Sequence, residues 1–278
     1  MNKFSCWLLS SCCVLSLAVP AMAQKPDAHV DGPPPILVIQ YEMVKPGHIG
    51  TMHQRTESMF IKAMKDSHAK EHYLGNTSLS GDNSAIFFEG YGSLADWQKD
   101  MQTFDTNPTL ARQMEAATVA DGEMLTVAGQ VVLQYVPDNS YNMDKIDVGM
   151  TRYWQIERYK IKPGHDAEWN EVVKMYGDAL KKVEPDAIWV QYRGLYGHNN
   201  GGDYSFFIPM KSLVEADKSL MNDSKVAAEL GADNMKKVGE LIRDCVESQQ
   251  NNLYRVDPKM SYPFESWTKE APGFWNGK

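Results

Sequence analysis

The strongest constraint in this sequence is that it contains itself twice. Val44-Lys45-Pro46-Gly47-His48 returns as Ile161-Lys162-Pro163-Gly164-His165, 117 positions later. Further matches follow in the same order. Phe87-Phe88 pairs with Phe206-Phe207 and Ser93-Leu94 with Ser212-Leu213, both at 119, while Leu133 and Val136 pair with Leu253 and Val256 at 120. Collinear matches with a slowly drifting offset are the trace of a duplicated unit with small insertions. The chain is therefore expected to fold as two similar units, at 32–141 and 147–262, joined by a linker at 142–146.

Each unit parses into the same six elements. β-Branched and aromatic runs at 36–44 and 153–161 read as strands, each closed by the Pro-Gly turn. In the second copy Trp169, Val172, Val173, Tyr176, Leu180 and Val183 mark one face of a helix, and Met52, Met59, Phe60 and Ala63 form a weaker stripe in the first. Strand pairs follow at 73–79 with 85–91 and at 188–196 with 204–209, around polar turns. Ser93 to Asp96 and Ser212 to Glu215 then place a hydroxyl at a helix start with a carboxylate three residues on; the second fits the capping box better. Helical stretches at 108–127 and 225–247 and last strands at 130–136 and 251–256 complete the units.

Strand, helix, strand, strand, helix, strand is the split βαβ order of ferredoxin-like domains. A four-stranded sheet with helices on one face needs cover on the other, and a second such sheet supplies it. The fold class expected is α+β: two tandem ferredoxin-like repeats whose antiparallel sheets face each other in an intrachain α/β barrel. On the two strand–Lys-Pro-Gly-His–helix openings and the repeat across 32–262, the sequence resembles the dimeric α/β barrel superfamily, which includes antibiotic-biosynthesis-monooxygenase-like proteins. That resemblance implies a barrel formed within one chain. The activities it brings are cofactor-free oxygenation, haem handling or simple binding.

Strand alternation divides each first strand into two faces. Leu37, Ile39, Tyr41 and Met43, with Trp154, Ile156, Arg158 and Lys160, form one phase, whose early part is expected against the helices. Val38, Gln40, Glu42 and Val44, with Gln155, Glu157, Tyr159 and Ile161, form the other, expected to face the barrel lumen. On that expectation Glu157 is the candidate catalytic base, its pKa raised by desolvation, and Gln40, Glu42 and Tyr159 are candidate ligand-binding groups. The alternative is that these side chains hydrogen-bond across the sheet contact or reach solvent at its rim.

Lys3 precedes an apolar run over 4–19 that ends in Pro20-Ala21-Met22-Ala23. This reads as a signal peptide, 1–23, cleaved after Ala23 and followed by a linker at 24–31, which places the protein in the periplasm or the medium. Leu9-Ser10-Ser11-Cys12 also resembles a bacterial lipobox, with Cys12 as the lipidated residue, although the apolar core before it is short. Beyond Gln24 no apolar run approaches the ~20 residues of a transmembrane helix. Cys6, Cys12 and Cys13 lie in the leader, so Cys245 is alone in the mature chain, without a disulfide partner, and reads as a small buried hydrophobe.

The formal net charge of −8 argues against nucleic acid as a partner. No nucleophile elbow, phosphate-binding glycine loop, cysteine–histidine metal pattern or H-E-x-x-H is found, so the sequence implies no cofactor. His68 and His72 share a helical spacing but sit where the helix should end, and read as solvated. His48 and His165 occupy equivalent corners and are explained by the repeat. The outer helix faces carry too few apolar positions to define an oligomeric state. Trp267, Trp275, Phe264 and Phe274 stand out in a tail at 263–278 without helical or strand period, expected to cover an apolar groove on the protein itself or to bind a partner. The function these features favour is binding of a small apolar or aromatic ligand in the barrel, with cofactor-independent oxygenase-like turnover as its extension. The rivals are a filled barrel acting as a structural or interaction module, and haem handling through His165 or His198.

Overall fold

The repeat seen in the sequence is a repeat of structure. The computed structural model describes residues 32–197 and 203–277; the expected leader at 1–23, the expected linker at 24–31 and His198 lie outside the described residues. The first half comprises β1 (Ile36–Val44), α1 (Thr51–Asp66), β2 (Leu74–Ser78), β3 (Ser84–Tyr91), α2 (Leu94–Thr106), α3 (Pro108–Gly122) and β4 (Leu125–Tyr141). The second comprises β5 (Tyr153–Ile161), α4 (Asp166–Val183), β6 (Trp189–Tyr196), β7 (Asp203–Met210), α5 (Leu213–Cys245) and β8 (Val246–Val256). Two short helices follow, α6 (Glu265–Glu270) and α7 (Pro272–Trp275). None of the described helices is long and apolar enough to cross a membrane.

The eight strands close into a barrel in the order β1-β3-β2-β8-β5-β7-β6-β4, with β4 returning to β1. Both first strands are central in their half: β1 lies antiparallel between β3 and β4, and β5 between β7 and β8. Two seams join the halves. At one, Asn76 and Ser78 of β2 face Val256 and Tyr254 of β8; at the other, Leu133 to Val136 of β4 face Gly194 to Gln191 of β6. Each half alone would expose two unpaired strand edges, and the seams remove all four.

Most elements lie where periodicity puts them, and the departures have local causes. Helix α3 stops at Gly122, and Asp121 to Met124 form a turn that delivers Leu125-Thr126-Val127 to the edge of β1, where Val127 faces Met43. The expected helical extension to 127 is thus taken over by strand pairing of β-favouring residues. Helix α5 merges two segments across Gly231, whose φ of 75° breaks the helical path. Ser93 accepts a hydrogen bond from the Asp96 amide and caps α2, but Ser212, which fits the capping pattern better, makes no cap bond. Glu215 instead turns back to accept from the Lys211 amide at 3.1 Å. Cys245 is fully buried, as expected of a small hydrophobe.

After β8 the chain runs back along β2 before entering the tail. Gly75 marks the closest approach: a Cβ there would lie 2.2 Å from the Met260 carbonyl oxygen. The Gly75 amide donates to Ser261 Oγ at 2.9 Å, and its carbonyl accepts from the Asp257 amide at 2.9 Å. A Gly75→Ala substitution must push two backbones apart. It is expected to lower stability by about 1–3 kcal/mol, read as a fall in the urea midpoint at unchanged slope.

Candidate functional site

The strand phases are the reverse of the expected ones. Leu37, Ile39, Trp154 and Ile156 point into the barrel, where they join Leu133, Tyr192, Phe207 and Tyr254 in one apolar cluster. Val38 packs instead with Trp97 of α2, and Ile161 with Trp169 of α4. The reason is geometric. An eight-stranded barrel is only wide enough for its own side chains or one small ligand, so its lumen takes the more apolar phase. The polar phase goes to the layer beneath the helices, where Glu42 is buried among polar partners and Glu157 is half-buried.

Glu157, Tyr159, Gln40 and Glu42 therefore do not share a lumenal cavity. In the second half Glu157 accepts from Gln155 Nε2 at 2.7 Å and from the Tyr159 hydroxyl at 2.8 Å. Tyr159 lies against Trp169, ring centroids 4.6 Å apart, and burial and the neighbouring Glu157 push its hydroxyl pKa upward. In the first half Gln40 is exposed and donates to Glu89 at 3.2 Å. Only Glu42 enters a concentrated polar site.

That site comprises Glu42 from β1, His53 and Glu57 from the first two turns of α1, and Asp121 from the last turn of α3, all buried. His53 Nε2 lies 2.9 Å from Glu42 Oε2, 3.4 Å from Asp121 Oδ1 and 3.6 Å from Glu57 Oε1. The Thr56 hydroxyl is 2.9 Å from the His53 carbonyl oxygen and 2.8 Å from Asp121 Oδ1, so its one proton serves either. Glu57 Oε1 has no hydrogen-bond donor. Burial raises the pKa of both Glu42 and Glu57. Burial also opposes a charged imidazole, yet the hydrogen bonds of Asp121 and Glu42 and the charge of Glu57 outweigh it and raise His53 to about 10.

Sequence periodicity missed three of these four residues because it weighed apolar positions. The expected stripe on α1 is corrected at two positions, Met52 and Met59, which are 43% and 38% exposed, while His53, Thr56 and Glu57 face inward. The signal lay in the repeat. The first corner is one residue longer, since the His53 amide bonds to the His48 carbonyl and the Trp169 amide to that of His165, and this sets His53, Thr56, Glu57 and Ala63 against Trp169, Val172, Val173 and Ala179, 116 positions on. The first turns of this inward face are apolar in the second half and polar in the first, where Ile61, Ala63 and Met64 keep the remainder apolar.

A second acidic group lies under α2. Tyr91 donates its hydroxyl to Asp100 at 2.5 Å and lies 3.1 Å from Glu89. Desolvation raises Asp100 to about 7, with Glu71 and Glu89 adding to the rise against the Tyr91 hydrogen bond, and burial raises Glu89 also.

In the lumen the tail closes one mouth. Trp267 and Trp275 stack at 5.9 Å and join the lumenal cluster, with Trp275 Nε1 donating to the Gly149 carbonyl at 3.0 Å and the Arg152 guanidinium 3.8 Å over Phe274. The aromatic tail thus covers an apolar groove of its own protein. Beneath α6 remains a cavity of about 140 Å³ lined mainly by Leu37, Leu74, Phe88, Trp154, Phe207 and Trp267.

No model of a known protein family matches the chain, and no curated protein matches it. Solved structures do. An anthrone oxidase-like protein superposes with a TM-score of 0.51 at 13% identity, covering 80% of this chain and 91% of that one. A candidate monooxygenase from Fusobacterium nucleatum gives 0.50 at 14%, covering 81% and 93%. A candidate chlorite dismutase gives 0.47 at 11%, covering 81% and 95%. The fold is that of the dimeric α/β barrel proteins, with both halves supplied here by one chain.

Because Asp100 holds its proton in the folded protein up to about pH 7 but releases it near 3.8 when unfolded, the native state binds more protons between those values. Stability should fall as pH rises through that window. Asp100→Asn keeps an acceptor for Tyr91 and should flatten this part of the curve, becoming more stable relative to the parent as pH rises from 4 to 7, as measured by urea unfolding at fixed ionic strength.

Proposed function

We propose that the chain binds a small, single-ring apolar or aromatic ligand in the cavity at the barrel mouth. The observation that carries this reading is an apolar pocket of about 140 Å³ that opens at the mouth of a lumen otherwise filled by aromatic and aliphatic side chains. An engineered cavity of similar size, about 150 Å³ and lined by aliphatic and aromatic side chains, takes up benzene, whereas drug-sized ligands occupy about 300–1,000 Å³. Phe88 meets Trp154 and Phe207 edge-on, with centroids 5.7 and 5.6 Å apart, an arrangement that offers ring faces and edges to a further ring. The structural relatives, among them a candidate monooxygenase and an anthrone oxidase-like protein, are in keeping with ligand binding.

The cavity lining carries His72 and no carboxylate, and Glu157 sits on the far face of the sheet; the proposal is one of binding. Haem handling through His165 finds little room, and His198 lies outside the described residues. His165 stands at the start of α4, 3.5 Å from Glu168, and the space under that helix is occupied by Tyr159, Trp169 and Tyr204. Saturable change of tryptophan fluorescence on titration with toluene or indole is expected. Val148→Trp, at the half-buried rim, should abolish it with little change in Tm. A parent protein showing no saturable response at millimolar ligand would favour the filled barrel.

Export is the second part of the proposal, and it rests on the apolar leader and its Ala21-Met22-Ala23 boundary. Expressed with its full sequence in a bacterium, the protein should be recovered outside the cytoplasm with Gln24 at its N-terminus. Cytoplasmic protein retaining Met1 would overturn this part.

A further inference from the structure

We propose that Glu42, His53, Glu57 and Asp121 form a binding site for one divalent metal ion of the zinc class, held between the sheet and α1 and α3. Three observations converge. First, the separations suit an ion at the centre. Zinc bonded to nitrogen and oxygen at about 2.0–2.1 Å in a tetrahedron sets its ligands about 3.3 Å apart, and His53 Nε2 stands 2.9, 3.4 and 3.6 Å from the three carboxylate oxygens. The four ligand atoms all lie within 4.8 Å of one another.

Second, a buried carboxylate oxygen aimed into the cluster has no partner. Glu57 is 3% exposed, and its Oε1, directed at His53 Nε2, receives no hydrogen bond. Three buried carboxylates face one imidazole, and buried charges are tolerated when paired or bound to metal. Asp121 also sits in the last turn of α3, where the helix dipole favours positive charge.

Third, the fold has no need of this cluster. In the other half the equivalent layer is filled by Tyr159, Trp169, Val172 and Val238, which close the same sheet–helix gap without a comparable group of carboxylates around an imidazole. One imidazole with three carboxylates suits zinc better than magnesium, which prefers oxygen ligands in an octahedron and retains much of its water.

The test uses the purified protein stripped with EDTA and then dialysed. Calorimetric titration with Zn²⁺ should show one ion per chain, and a hundredfold excess over Kd should raise Tm by roughly 5–10 °C. Glu57→Gln, which keeps shape and removes one charge, should weaken binding at least tenfold while near-ultraviolet circular dichroism stays native. Asp121→Asn should do the same, and if that variant fails to fold, Glu57→Gln carries the test. Glu157→Gln, outside the cluster, should bind as the parent does. Absence of stoichiometric binding in the parent would overturn the site, as would undiminished binding in folded Glu57→Gln. Equal affinity for Mg²⁺ would overturn its assignment to the zinc class.

Discussion

Everything distinctive in this molecule follows from closure of the sheet. The pairings of β2 with β8 and of β4 with β6 turn two open four-stranded sheets into one continuous barrel, and a closed barrel gives every strand an inner and an outer face. Once the barrel is closed, the choice of strand face is no longer a matter of local pattern. Burying Ile39, Trp154, Ile156 and Phe207 in the lumen contributes about 1.5–3 kcal/mol for each fully buried large side chain. The reverse orientation would place Glu42 and Glu157 among the apolar side chains of the lumen, away from His53 and from the Gln155 and Tyr159 donors, and a buried carboxylate without such partners is heavily penalised.

The inversion of phase moves the ionisable chemistry to the sheet–helix interface, and there the two halves diverge. Duplication supplies each with the same strand–turn–helix opening, but their inward layers have been filled differently. Trp169, Val172 and Val238 give the second half a packed apolar seam. His53, Glu57 and Asp121, with Glu42 from β1, give the first an ionisable one. Hydrophobic packing can hold either half together, so the polar version is a local departure from what folding requires, and such departures are where function is expected.

The lumen shows the complementary economy. Its aromatic side chains nearly fill it, and the C-terminal tail inserts Trp267 and Trp275 at one mouth. What remains is a single-ring cavity rather than a substrate tunnel. Arg152 over Phe274 and the Trp275 hydrogen bond to Gly149 fasten the tail to the loop that precedes β5. The tail and the second half are thus held together by a few aromatic and polar contacts.

Much of the architecture was legible in the sequence. The repeat offset, the alternation in β1 and β5, whose limits match at 36–44 and 153–161, and the Pro-Gly corners are local or collinear signals, and they specify two ferredoxin-like units without reference to three dimensions. The candidate site was legible only in part. Glu42 stood out as a carboxylate in a first strand, whereas Gln40, Glu157 and Tyr159 were expected in a lumen that they do not enter. Alternation states which residues share a face but carries no label for what that face meets. That label depends on barrel closure, a contact between residues as distant as Asn76 and Val256, and on the apolar lumen it creates. Likewise His53, Glu57 and Asp121 come together because α1 and α3 pack side by side over β1, a juxtaposition that only the tertiary structure decides.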